Sequence, residues 1–173
     1  MSEAHANDCR VIRPQTEQRA YLQPNLKILY GYPRDVMSDK RFVQGSGINA
    51  FNGNELIVKG ALESKVGLMA GYPGSPVAEV FTILEENAEI LRECGLWAEM
   101  TNDESQGAAA LNGALDVGVN AVAVMKSVGL NVAADPINII NYADKLGLSG
   151  KRGGALVVCG DERVEHERFD FRR

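Results

Sequence analysis

The chain has 173 residues, 45% of them hydrophobic and 24% charged, a balance suited to one globular domain with a sizeable core. Its net charge of −5 argues against a general nucleic-acid binder, which would carry a basic stripe. No run approaches the ~20 apolar residues of a membrane span, the N-terminus lacks a signal-peptide core, and Cys9, Cys94 and Cys159 form no C-x-x-C pair for zinc or an iron–sulfur cluster. These features predict a cytoplasmic protein with no nucleic-acid partner, no membrane partner and no metal site of its own.

Residues 1–44 read apart from the rest. Pro14, Pro24 and Pro33, scattered charges and one apolar patch (LKILY, 26–30) describe an extended arm or small subdomain. Gly45, Gly47 and Ala50 then match a loose G-x-G-x-x-A string, but only Phe42 and Val43 precede it as a strand, and Gly53 interrupts the segment after it. A turn is the expected structure. Residues 55–64 place Leu56, Ile57, Ala61 and Leu62 at helical spacing, and residues 66–70 form a short apolar run that reads as a buried strand. The segment GYPGSP (71–76) comes next, with Ser75 as a natural N-cap and Pro76 at the first helical position.

Residues 77–94 carry the longest helical pattern, with Val77, Val80, Phe81, Leu84, Ile90 and Leu91 on one side and Gly95 as its stop. LWAEM (96–100) is the second strand. Thr101-Asn102-Asp103-Glu104 then reads as a capping box, Thr101 as N-cap and Glu104 three residues on. The helix behind it, 104–116, is built of small residues. AVAVM (121–125) is the third strand, residues 132–146 a helix, and ALVVC (155–159) the fourth strand, followed by a charged tail with no closing helix.

Strands of about five residues alternating with helices predict an α/β domain with a doubly wound parallel sheet, the strands buried on both faces. The missing closing helix predicts a sheet incomplete at its C-terminal side. In such sheets ligands bind beyond the carboxyl ends of the strands. Three islands fall there: GYPGSP, the NDE at 102–104, and MKSVGLNVAADP at 125–136. Each alone has an ordinary reading: a capped loop, a capping carboxylate, a solvated lysine at a strand end. The helix behind Glu104 adds weight to a functional one. Gly107 and Gly113 lie in its interior, where each costs up to about 1 kcal/mol and calls for a packing reason. Lys126 would share an edge with Ser75 and Glu104 and suit an anionic ligand. His5 and His166 have no metal-ligand partner at useful spacing.

GNELIVKGALES (53–64), GYPGSP, NDES (102–105) and MKSVGLNVAADP together resemble the N-terminal domain of indolepyruvate:ferredoxin oxidoreductase α subunits. These belong to the thiamine-diphosphate-dependent 2-oxoacid:ferredoxin oxidoreductases, and the resemblance covers residues 54–160. It implies a thiamine pyrimidine-binding fold over residues 45–173. It makes Glu104 the catalytic carboxylate, hydrogen-bonded to pyrimidine N1′ so as to favour the imino tautomer. It places Tyr72, Pro73, Gly74, Gly107 and Ala108 with Glu104 around the cofactor, and Ser75, Lys126, Val128, Gly129 and Asn131 on the substrate side. The family's G-D-G…N pattern for diphosphate and magnesium is absent; Gly160-Asp161-Glu162 does not supply it. The chain also lacks cluster ligands. Magnesium and iron–sulfur clusters are therefore expected on partner domains or subunits of an oligomeric enzyme acting on an arylpyruvate-like 2-oxo acid. Two alternatives stay open: a subunit of a non-oxidative thiamine-dependent decarboxylase, and a catalytically silent assembly module.

Overall fold

The structure is a computed structural model that describes residues 39–142 and 153–161. The apolar patch at 26–30, Cys9, His5, His166, the end of the helix expected to reach residue 146 and the charged tail from 162 lie outside the described residues. The elements are α1 (Gly53–Glu63), β1 (Leu68–Gly71), α2 (Glu79–Glu86), α3 (Ala88–Glu93), β2 (Trp97–Met100), α4 (Glu104–Asp116), β3 (Ala121–Lys126), α5 (Gly129–Val132), α6 (Ala134–Tyr142) and β4 (Ala155–Gly160). A 3-10 turn, Lys40–Val43, precedes them and inserts Phe42 into the core. Beside it, hydrogen bonding to Arg41 holds the Asp39 carboxyl below its usual range.

The four strands form one sheet in the order β2-β1-β3-β4, every pair parallel. Successive side chains of a strand point to opposite faces, and here each face has its own core. Met69, Val122 and Val124 meet Val58, Val80 and Leu84 from α1 and α2 on one side. Ala121, Ala123 and Met125 meet Ala108 and Leu111 from α4 on the other, with Ile137 and Ile140 of α6 packed against them. The doubly wound parallel sheet expected from the strand–helix alternation is therefore borne out. Burial on both faces holds for the central strands only. At the edges, Trp97, Met100 and Leu156 are substantially exposed, because an edge strand has one neighbour and the helices cover the middle. Arg92 covers part of β2 by stacking its guanidinium 4.7 Å from the Trp97 ring centroid.

Three helix-to-strand connections use the same device. At the end of α1, Val66 N–H bonds Ala61 O (3.0 Å) and Lys65 N–H bonds Leu62 O (3.1 Å). After α3, Leu96 bonds Leu91 and Gly95 bonds Arg92; after α4, Val119 bonds Ala114 and Gly118 bonds Leu115. Each is a Schellman motif, which satisfies the last carbonyls and turns the chain through one left-handed residue into the next strand. That residue is Gly95 (φ 86°), Gly118 (φ 74°) and, at the first connection, Lys65 (φ 56°). Gly95 ends its helix as the pattern predicts.

Local structure departs from the sequence reading in several places. The helix expected over 77–94 is two helices, broken at Asn87. This residue is 4% exposed; its amide donates to Ile83 O at 2.9 Å while its carbonyl accepts from Asp39 N–H at 2.7 Å. A buried amide satisfied in this way outweighs continuous helical spacing. Ser75 is not an N-cap. The Ser75–Pro76 peptide is cis, and the following turn closes through Val77–Gly74 and Val80–Val77 bonds, so that α2 begins at Glu79. The helix expected from 132 is α5 and α6, parted at Ala133. α1 starts two residues earlier than expected because Asn52 and Glu55 form a capping box. Its buried face is Val58 and Ala61, while Leu56 is 54% exposed.

Lys65 is the one non-glycine described with positive φ. Lys65→Gly is expected to raise stability by about 0.5–1 kcal/mol, because it removes the left-handed penalty at a modest entropic cost. Urea denaturation of the two proteins checks this.

Candidate functional site

The strand order reverses between β1 and β3. The chain leaving β1 enters helices on one face; the chain leaving β3 enters helices on the other. A crevice between such ends is where open parallel sheets hold ligands. Register levels the ends: Gly71 stands opposite Met100 and Val124, while β3 and β4 run two residues further to Lys126 and Gly160.

Missing side chains bring the three islands into contact. Gly71 has φ 149°, and any Cβ there would collide with the Val124 carbonyl. Instead Tyr72 N–H bonds that carbonyl at 3.2 Å. A Cβ on Gly107 would lie 2.7 Å from Gly71 Cα, so α4 reaches β1 backbone to backbone. A Cβ on Gly74 would lie 2.8 Å from Lys126 Cβ, which ties the first island to the third. A Cβ on Gly129 would strike the Glu104 carboxylate, which ties the third to the second. This is the packing reason the interior Gly107 called for; Gly113 has open space beside it, and nothing in the structure explains its choice over alanine.

Glu104 is not part of a capping box. Thr101 N–H still bonds Gly71 O at 2.8 Å, continuing the β1–β2 ladder, so Thr101 cannot start the helix. The N-cap is Asp103, whose carboxylate accepts from Gln106 N–H at 2.8 Å; Thr101 Oγ1 donates to Asp103 O at 2.7 Å. Glu104 is thereby the first residue of α4. It is half-buried, lies over Gly129, and makes no hydrogen bond or ion pair among the described residues.

The other expected site residues fall into two groups. Tyr72, Ser75, Val128 and Asn131 are exposed at the carboxyl edge, with Pro73, Gly74 and Lys126 half-buried beside them. Gly129 is buried beneath the Glu104 carboxylate. Ala108, by contrast, is fully buried in the core under the sheet, and Gly107 is buried against Gly71. These two seat the helix rather than line an opening. A fourth segment, absent from the sequence reading, joins the edge. Ser127 N–H bonds Gly160 O at 2.8 Å, Ser127 Oγ meets Asp161 Oδ1 at 3.1 Å, and Gly160 packs on Pro76 and Val77. The rule that selected the other strand ends points equally to the end of β4. Among the described residues no group of three or more His, Cys, Asp or Glu is placed to hold a metal ion, and no helix is long and apolar enough to cross a membrane.

The chain is an α/β domain with an open parallel sheet, and its loops gather at the switch point, where such sheets hold ligands. No family profile matches the chain, and neither does any solved structure. Over the matched segment the chain is a relative of indolepyruvate oxidoreductase subunit IorA. It is 36% identical to the subunit of Archaeoglobus fulgidus over 134 residues, 77% of this chain. It is 36% identical to that of Pyrococcus horikoshii and 34% identical to that of Methanothermobacter marburgensis, each over 110 residues, 64% of this chain. The matches span 19% of the first relative's length and 16% of each of the other two. The resemblance read from the motifs is borne out.

Two substitutions separate packing from placement. Gly107→Ala forces α4 away from β1 and is expected to cost about 1–3 kcal/mol in denaturation experiments, the range for overpacking. Gly129→Ala meets only the mobile end of a side chain. It is expected to leave the melting temperature within a few degrees of wild type and to turn the Glu104 carboxylate to a new rotamer, visible in a crystal structure.

Proposed function

We propose that the domain is the pyrimidine-binding part of a thiamine-diphosphate-dependent 2-oxoacid oxidoreductase of the indolepyruvate type. It would work with diphosphate-binding and iron–sulfur domains or subunits outside this chain, in a cytoplasmic oligomer. The observation that carries this reading is the Glu104 carboxylate. It is held at the switch point, half-buried, relieved of capping by Asp103, and has no donor among the described residues. A carboxylate in that state calls for a donor from a ligand, and a protonated ring nitrogen supplies one.

The surroundings suit a flat heteroaromatic ring. Tyr72 and Val128 present apolar surface at the same edge, 40% and 56% exposed, and Gly74 and Gly129 keep their loops low. Thiamine diphosphate, when bound, supplies the electron sink that lets a 2-oxo acid lose carbon dioxide. Glu104 would hold the proton at the pyrimidine nitrogen and fix the ring's tautomer. Gly129 keeps the carboxylate in place by leaving room for it. Lys126 would lie on the substrate side of the ring, with Ser75 and Asn131 bordering the same edge. In this reading Gly107 and Ala108 position the helix that carries Glu104.

Glu104→Gln keeps the size of the side chain and removes the charge. In the chain assembled with its partner subunits, kcat for 2-oxo acid oxidation is expected to fall about 100-fold or more, the range for a lost proton-handling group. Loss of the helix-terminus charge alone would cost only about 0.3–1 kcal/mol of stability. Steady-state kinetics on wild type and variant decide the matter; full activity in Glu104→Gln would sink the assignment.

A further inference from the structure

α4 and the segment 129–142 run side by side over the same face of the sheet, both leading from its carboxyl edge back to its amino edge. Towards the carboxyl edge, next to Gly129, the seam between them is built of small side chains. Ala108 and Ala133 are both fully buried in it and belong to one apolar cluster with Leu111. Small side chains interlock weakly, so such a seam resists sliding poorly. Yet its register matters. Among residues 125–136 Gly129 is the one glycine, and any side chain brought to its place would displace the Glu104 carboxylate.

A polar side chain crosses the seam close to this stretch. Asn112, two turns along α4 from Glu104, donates through Nδ2 to Pro136 O at 2.6 Å, and more weakly to Ala108 O at 3.4 Å. Its Oδ1 is buried with no hydrogen-bond partner among the described residues. For stability alone this is a poor choice, since a buried acceptor left unpaired is costly and an apolar side chain would fill the seam without that cost. A directional bond at a single point is, however, what a seam of small side chains needs in order to lock. Polar groups inside apolar helix contacts fix register in this way.

We propose that Asn112 is the pin that sets the register of residues 129–136 on α4 and so keeps Gly129 beneath the Glu104 carboxylate. Asn112 touches no ligand in this reading; it is a positioning residue acting through Gly129. The consequence for cofactor binding rests on the assignment of Glu104 above, whereas the pin itself does not.

The test compares the wild-type chain with Asn112→Leu and Asn112→Ser, the second too short to reach Pro136. Asn112→Leu is expected to keep or raise the melting temperature. By amide hydrogen exchange, the N–H groups of residues 129–133, including the Ala133 N–H bonded to Gly129 O at 3.0 Å, are expected to exchange about tenfold faster in both variants. Those of β1 and β3 should hold their rates. Affinity of the assembled protein for thiamine diphosphate should fall about tenfold. Unchanged exchange at 129–133 overturns the pin, as does a uniform acceleration that includes the strands, or loss of the fold in both variants. If wild type itself fails to bind thiamine diphosphate, the Glu104 assignment is at fault, and the exchange comparison still decides the role of Asn112.

Discussion

Where β1 ends, backbone packs directly against backbone. Gly71 lets the Val124 carbonyl in from one side and α4 in from the other, through Gly107. A side chain at either position would push one of those neighbours away, and the cost would fall on backbone rather than on a rotamer. The height of α4 over the sheet, and with it the place of Glu104 at the helix start, hangs on that contact. The wider core on the opposite face, with Phe42, Val80 and Leu84, supplies much of the buried apolar surface, but it leaves the carboxyl edge unspecified.

The two edges of the sheet divide the work. At the amino edge, three Schellman turns hand helices to strands with local hydrogen bonds, and Asn120 then ties two of the loops together, its carbonyl accepting from Gly67 N–H and its side-chain oxygen from Gly154 N–H. At the carboxyl edge local bonds shape each loop, but the loops meet through residues far apart in the chain. Pro76 and Val77 meet Gly160, Gly74 meets Lys126, and Gly129 meets Glu104. Long-range contacts between short loops make a precise crevice, and they are why a single-residue change at that edge reaches several segments at once.

Much of this was legible in advance, for identifiable reasons. Short apolar runs, three of them bordered by glycine, located the four strands, and the alternation with helices fixed a parallel, doubly wound sheet. The span expected for α4, 104–116, is the observed one, although its cap was assigned to Thr101 rather than Asp103. What escaped was set by hydrogen bonds that cross the fold. Asn87 breaks a helix whose spacing looks continuous, because Asp39 waits for its carbonyl. Thr101 fits a capping box until the β1–β2 ladder claims its N–H. The same bond moved Glu104 from a capping residue to the first residue of its helix, a distinction that four residues of sequence cannot carry. Asn112 showed no signal at all, since its partner lies 24 residues away.

The contact between Glu104 and Gly129 also leaves a trace that does not depend on any single molecule. A glycine that leaves room for a carboxylate is free to change once that carboxylate is gone, whereas the reverse order of substitution turns the carboxylate out of its place. In a lineage that had abandoned the acid, the loop position would drift towards alanine or serine. In a lineage that kept the acid, it would stay fixed. The two sites should therefore vary together across related chains wherever the place of the carboxylate matters.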